Sequence, residues 1–552
     1  MRRILACVIV CLSASLLPAA SYDYAELLQH GLYFYEAQEA GELSPGNRVV
    51  WRGPSTLDDG QDVGLDLSGG WYDAGDHWKM NRSMSQAASF LAWSVVTFPD
   101  VYRDQDQMPH ALNSLRHIVD YLDRCIVDDN PENADDFSDY TVYVDIGGKS
   151  TPTEPTPGVH NVWSAPEVID GKTVRQSYAI NADTPNGAMA GAMAGALASA
   201  AQVLHLYGTA ADQDLAARLL PVADKLAAFG IAHPAPGSKD SIIHTGAVVV
   251  CHSIPDYPWD ALIWSQVWLH RCKTAMGVDG YEAAHLQQAR GIIDGFSTDE
   301  WNQYKAWWKE LGYNHASLLA WLQTDHTPAD RDRLQPPLQQ LFEIWNEANE
   351  NASPDTSKFY HTPYGLKFRW VYGSSFVGHR VFRNTALAAM YAHWVQDQAE
   401  KDTYTSYVQA QTDYYLGDNK QDMSYIIGFG DQGWPITYHH RGAQGPWASH
   451  DHRISSKPLY MQRMRHVLYG ALLGGPDKDD DFTDGTWEHT TTEPIIGAAG
   501  EVQIVAAFLT SRDPGAYSAD PDFPPAPERD LSLDPEWTDR DMYVAAAISG
   551  GN

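Results

Sequence analysis

The stretch NGAMAGAMAGALASAAQVL, residues 186–204, decides what kind of molecule this chain is. By length and apolar content it could cross a membrane. Its apolar residues, however, are mostly Ala and Gly, which gain little by leaving water. Gly187, Gly191 and Gly195 recur every four residues. That spacing lines one helix face with positions lacking a side chain, and a neighbouring helix can approach closely there. The stretch therefore reads as an inner helix of a tightly packed helical protein.

The same period returns along most of the chain. Leu112, Leu115, Val119 and Leu122 fall on one helix face, as do Met84, Ala87, Ala88, Leu91 and Val95. Comparable runs lie near residues 24–38, 187–206, 212–229, 259–271, 282–296, 314–323, 384–397, 403–416, 458–473 and 497–509. The pattern predicts an all-α fold of roughly a dozen helices, with no extended series of alternating strands. Between the helices, regions 125–185, 235–258, 350–382 and 417–457 are rich in Gly, Pro, Trp and His. Long ordered loops on a helical scaffold are where function is expected.

Composition narrows the function classes. The chain has 552 residues, 44% of them hydrophobic and 11% aromatic, which supports an extensive core. A formal net charge of −33 argues against nucleic acid and anionic lipid surfaces as partners. Nineteen tryptophans and 29 tyrosines supply the flat amphipathic rings that a sugar-binding cleft uses. The opening MRRILACVIVCLSASLLPAA has the basic, apolar and small-residue order of a secretion signal, with cleavage expected near residues 19 to 22. This divides the chain into a signal peptide (1–21), a main domain (22–515) and a proline-rich acidic extension (516–552). Secretion and a monomer without membrane attachment are expected. After cleavage Cys125, Cys251 and Cys272 remain, too few for a disulfide scaffold.

Three segments carry candidate chemistry. GGWYDAGDHWKM, residues 69–80, sets Asp73 and Asp76 three residues apart among glycines and aromatics. Hydrolysis between sugars uses two carboxyl groups, one protonating the leaving oxygen and the other activating water or attacking. The aspartate pair could supply the second. Far downstream, Glu493 stands at the edge of an apolar helical run, where an acidic residue could equally serve the helix dipole. The acidic run from Asp477 to Asp484 does not fit a calcium-binding EF-hand, because Phe482 and Thr491 would occupy ligand positions. Between these segments, PITYHHRGA places His439, His440 and Arg441 side by side. No zinc-ligand spacing accompanies them, even with His450 and His452 nearby, so donors to sugar hydroxyls and to carboxylates are the better reading.

Together these segments resemble glycoside hydrolase family 9, the cellulases and related β-glucanases. YDYAELLQHGLYFYEAQEAGELSPGNRVVWRG, YYLGDNKQDMSYIIGFG and GALLGGPDKDDDFTD follow in that family's order, so the resemblance spans about residues 22–510. It implies an (α/α)6 barrel with long functional loops and inverting hydrolysis of β-1,4-glucans in an open cleft. By position, Asp76 resembles the general base, Asp73 its supporting partner and Glu493 the general acid. His439 and Arg441 match the element that binds the sugar beside the scissile bond, and Asp484 matches the aspartate of the acid-bearing motif. His160 and Trp163, in GVHNVW, resemble the His-and-aromatic wall of the cleft.

Several positions depart from that pattern. An aromatic expected after the acid is Ala498, and the usual WGSLR reads YGSSF, placing Tyr372 for Trp and Phe376 for Arg. These changes reshape sugar subsites and keep a chain-end-acting cellodextrinase or β-glucosidase in view beside an endoglucanase. A barrel that binds glycans without turnover is a further alternative. Where the family binds calcium, Asp260 remains but Ala261 and Asn302 replace carboxylates, a loss that cuts affinity for a hard cation. No cofactor is required by the implied chemistry, and calcium is at most a weakly held ligand there.

Overall fold

The computed structural model describes residues 22–525, apart from 131, 134–135, 148–158, 160–161, 172, 235–257, 280–283, 306–311, 348–357, 371–376, 445–463 and 487. The expected signal peptide, most of the C-terminal extension, and His160 and Tyr372 lie outside the described residues. Among the described residues, twelve helices of nine or more residues build the scaffold: α1 (Tyr24–Ala37), α2 (Asn81–Thr97), α3 (Met108–Arg124), α4 (Gly187–Tyr207), α5 (Ala210–Ala232), α6 (Trp259–Ala275), α7 (Ala284–Asp294), α8 (Asn314–Leu322), α9 (Pro328–Glu347), α10 (Val377–Trp394), α11 (Gln398–Leu416) and α12 (Ala499–Arg512).

The helices form two layers, and the outer ones keep more exposed surface than the inner ones, except α1, which is buried nearly all round. Helices α2, α4, α6, α8, α10 and α12 are buried nearly all round and pack each on the next, with α12 closing back on α2. Helix α3 instead buries one stripe, including Leu112, Leu115, Val119 and Leu122. Helices α3, α5, α7, α9, α11 and α1 form the outer layer against that ring. The result is the (α/α)6 barrel that the resemblance implies.

Helix α4 is buried from Gly187 to Leu204, as the glycine spacing predicts. A Cβ on Gly191 would lie 2.6 Å from the backbone of Ala261, and one on Gly195 would lie 2.4 Å from the Trp264 ring. The glycines are therefore what allows α6 to seat against α4.

Three sequence expectations need correction. Residues 464–473 are not helical: Gly470 has φ +79° and packs against the His30 carbonyl, so the apolar spacing there reflects a buried irregular segment. Helix α9 contains Pro336 and Pro337, which masked it in the sequence, and α10 begins at Val377, earlier than expected. Region 125–185 also holds strands β2 (Ile126–Asp128), β3 (Tyr140–Ile146) and β4 (Ser177–Ile180). Together with β1 (Lys79–Met80) they form an antiparallel sheet in the order β1-β3-β2, with β4 also paired to β3.

At the C-terminus, residues 518–523 lie against α1 and the outer layer. Gln29 exchanges two hydrogen bonds with Asp520, at 2.8 and 3.1 Å, and Phe523 stacks on His30.

Candidate active site

Asp73 and Asp76 lie just ahead of α2, and Glu493 lies just ahead of α12. Because these two helices adjoin in the inner ring, the barrel brings together carboxyls more than 400 residues apart. Their helix N-termini also favour nearby negative charge.

Backbone hydrogen bonds lock the three motif segments to one another. The Asp73 N–H donates to the Trp78 carbonyl (2.8 Å), closing the DAGD turn, and the Asp73 carbonyl accepts from Ile496 N–H (2.7 Å). The Arg441 N–H donates to the Gly75 carbonyl (2.7 Å), and the His439 N–H to the Thr492 carbonyl (3.3 Å). Most directly, the Gly75 N–H donates to Glu493 Oε1 at 3.0 Å. The turn that carries the aspartate pair therefore touches the candidate acid itself. Asp73 and Asp76 are 4% and 5% exposed, while the Glu493 side chain keeps 12%.

Gly75 explains why the two aspartates flank a glycine. A Cβ there would sit 2.0 Å from the His439 carbonyl oxygen and 3.0 Å from Glu493 Oε1. Gly75→Ala must push the histidine segment and the carboxylate off the turn. Overpacking of this kind costs about 1–3 kcal/mol in stability. A displacement of that size at the reacting groups is expected to lower kcat about 100-fold, checked by steady-state kinetics beside a thermal melt.

The histidines are neutral, and their tautomers can be assigned from their partners. Burial, followed by the charge of Arg441, holds His439 well below the usual imidazole range. Its Nδ1 lies 2.6 Å from the Thr486 carbonyl, which can only accept, so Nδ1 carries the proton. Nε2 then presents a lone pair 3.8 Å from Glu493 Oε1. This corrects the expectation that His439 donates to a carboxylate: toward Glu493 it can only accept, which suits a protonated acid. His440 is pushed down to about 3 by burial and then by Arg52 and Arg441. It donates from Nε2 to Gln38 Oε1 (2.8 Å) and accepts from Ala443 N–H (3.0 Å). Gln38 in turn donates to the carbonyls of Tyr72 and Ala74, so His440 braces the DAGD turn from behind.

Other expected site residues fall in different places. Arg441 and Trp163 are 2% and 1% exposed. The guanidinium lies over the Trp163 ring, 5.0 Å from its centroid, and Arg441 Nε donates to the Val162 carbonyl (3.1 Å). Trp163 meets His439 edge-on at 5.0 Å. Trp163 thus stacks between the Arg441 guanidinium and the edge of His439. Asp484 is exposed and accepts from the Thr437 hydroxyl, which ties the loop before Glu493 to the segment before His439.

A calcium ion does not fit the residues at the corresponding position. Asp260 Oδ2 accepts from Tyr313 N–H (2.7 Å) and lies 3.7 Å from the Arg82 guanidinium. The next residue, Ala261, carries no carboxylate and packs against Gly191.

Residues not singled out in the sequence complete the frame. Asp59, fully buried, pairs with Lys79 (2.7 Å) and with Arg175 (2.5 Å). Burial pushes the Asp59 carboxyl up, but the two cations together hold it below the usual carboxylate range. Arg175 also donates to the His77 carbonyl (2.8 Å), and Lys79 to the carbonyls of Leu67 and Gly69. The segment that follows Asp76 is thus held by one buried ion cluster.

With this geometry established, comparison with known proteins is direct. Residues 24–505 match the family model described as Glycosyl hydrolase family 9. The chain belongs to that family. As a family 9 glycoside hydrolase it is 30% identical over 531 residues to Endoglucanase A of Bacillus pumilus, covering 96% of this chain and 71% of the relative. It is likewise 30% identical to Endoglucanase 1 of Persea americana, covering 89% and 94% of the two chains. Its fold superposes on endoglucanase CelQ from Clostridium thermocellum complexed with cellotetraose, with a TM-score of 0.71 and 28% identity, over 92% of this chain and 74% of that one.

Proposed function

We propose that this protein is a secreted, monomeric endo-β-1,4-glucanase that cleaves cellulose or cellodextrins with inversion of configuration. The observation that carries the reading is the direct bond from the Gly75 N–H of the DAGD turn to Glu493, which supports an acid and a water-activating pair acting at one site. The named relatives are endoglucanases, and the CelQ complex holds a cello-oligosaccharide, which supports a β-glucan as substrate.

In this reading the Glu493 carboxyl gives its proton to the glycosidic oxygen as the bond to the anomeric carbon breaks. Neutral His439, whose Nε2 lone pair lies 3.8 Å from Glu493 Oε1, places no positive charge there to favour early ionisation of the acid. Asp76 takes a proton from a water on the opposite face of the sugar, and the resulting hydroxyl bonds to the anomeric carbon. Asp73, beside it, holds the water and keeps negative charge on the base side. One water is consumed, the two chain ends regain hydroxyls, and Glu493 and Asp76 have exchanged a proton through the products.

The test is 1H NMR of cellopentaose hydrolysis. The α-anomer is expected to appear first at the new reducing end, and first appearance of the β-anomer overturns the inverting assignment. Endo-action is expected to lower the viscosity of carboxymethylcellulose ahead of reducing-end release. Steady liberation of glucose or cellobiose without viscosity loss would mark a chain-end enzyme instead.

A further inference from the structure

The strand facing the DAGD turn carries a carboxyl that neither the motifs nor the proposed reaction uses. Asp145 lies on β3, directly opposite Met80 of β1, the strand that continues from Asp76 through Lys79. The pairing of β3 with β4 slips between Tyr143 and Asp145. Such bulges re-aim a side chain and recur beside active sites. Up to that point β3 alternates buried and half-buried positions, but Val144, Asp145 and Ile146 are all buried. The irregularity turns Asp145 inward, where it is 8% exposed.

Its hydrogen-bond partner is Trp78. The indole Nε1–H donates to Asp145 Oδ1, and the backbone N–H of the same residue donates to Asp76 Oδ1 at 2.9 Å. Trp78 therefore links Asp145 to the candidate base, with one polar group on each. We infer that Asp145 is a positioning residue for hydrolysis: by anchoring the Trp78 indole it holds the backbone N–H that fixes the Asp76 carboxylate toward its water. The inference rests on Asp76 being the base.

The charge setting agrees with an acceptor that stays uncharged. Burial pushes the Asp145 carboxyl up to about 8; the Trp78 bond and Arg175 oppose this, while the charges of Asp73 and Asp76 add to it. The groups facing it are Asp73, Asp76 and Trp78 from the turn, Arg175 ahead of β4, Tyr178 on β4 and Tyr121 on α3. A neutral carboxyl accepts from the indole without placing a third negative charge beside the pair. The folded-state value lies above the unfolded one, so this group's contribution to stability is present in acid and is lost as pH rises toward about 8.

Kinetics of five variants on cellotetraose test the inference. Asp145→Ala is expected to lower kcat about 30- to 100-fold with KM within about twofold, the size of effect that a small misplacement of a reacting group produces. Asp145→Asn keeps an acceptor oxygen in the same shape and is expected to restore kcat to within about threefold of wild type, while flattening the decline in melting temperature between acid and pH 8. Trp78→Phe, which removes the donor, should match Asp145→Ala, and the double variant Trp78→Phe/Asp145→Ala should fall no further. Full kcat in Asp145→Ala, or in Trp78→Phe if the alanine variant does not fold, overturns the inference. So does an Asp145→Asn loss equal to that of alanine. Asp76→Asn separates the two levels: if it is inactive while Asp145→Ala is active, only the positioning role fails. If Asp76→Asn is itself active, the base assignment fails.

Discussion

Glu493→Gln is expected to lower kcat on cellotetraose by about 100- to 10,000-fold, the usual worth of a positioned general acid, while leaving oligosaccharide binding within about threefold of wild type. The substitution is close to isosteric, and the amide oxygen can still accept the Gly75 N–H that now meets Glu493 Oε1 at 3.0 Å. The turn, the His439 segment and the start of α12 keep their connections, so the loss reports the missing proton alone. Asp76→Asn should produce a loss of similar size for the complementary reason, since an amide takes no proton from water. Steady-state kinetics paired with calorimetric binding of cellotetraose separates the two quantities. Retention of more than about a tenth of wild-type kcat by Glu493→Gln would remove it from the acid role.

The second large effect is on stability. Asp59 is fully buried between Lys79 and Arg175, at 2.7 and 2.5 Å, and both cations are themselves buried. Asp59→Asn leaves two positive charges without their anion in the interior, a change that typically costs about 3–5 kcal/mol. The sign with pH follows from the depressed carboxyl. Its folded-state value lies below the unfolded one, so its stabilisation is present above the unfolded value of about 4 and is lost as pH falls through the folded value. Denaturant titrations at pH 7 and at progressively lower pH should therefore show the gap between wild type and Asp59→Asn narrowing in acid. Because Lys79 follows the DAGD turn and Arg175 holds the His77 carbonyl, the variant should lose activity as well as stability. A stability change under about 1 kcal/mol would show the cluster to be replaceable.

Much of the scaffold was legible because inner and outer helices differ in composition. The glycines at 187, 191 and 195 announce a close helix contact, and α4 makes it against Ala261 and Trp264. Helix α9 was hidden by its paired prolines, and the segment ending at Leu473 imitated a helix because an irregular buried chain also spaces its apolar residues. At the site, Asp73, Asp76, Glu493 and His439 come together where the motifs suggested. Arg441 and Trp163 are nearby but buried, a distinction that spacing cannot convey, because it depends on which face of the loop packs inward.

Asp59, Arg175, Gln38 and Asp145 were missed for a common reason. Each reaches the site through a tertiary contact with no local signature, such as the β1–β3 pairing that brings Asp145 opposite Met80. One signal was available for the last of them. The alternation in YTVYVDI, residues 140–146, marks a strand within a region otherwise read as loops, and a carboxyl at its inner end invites the question of what it faces.

The most direct test of the central claim, that Asp76 and Glu493 face one bound sugar chain from opposite sides, is a crystal structure of the Glu493→Gln protein soaked with cellotetraose. The expected result is a glycosidic oxygen within hydrogen-bond reach of the residue 493 amide, and a water held by Asp76 on the far side of the adjoining anomeric carbon. An oligosaccharide seated elsewhere on the barrel, or one with both side chains on the same face of its ring, would contradict it.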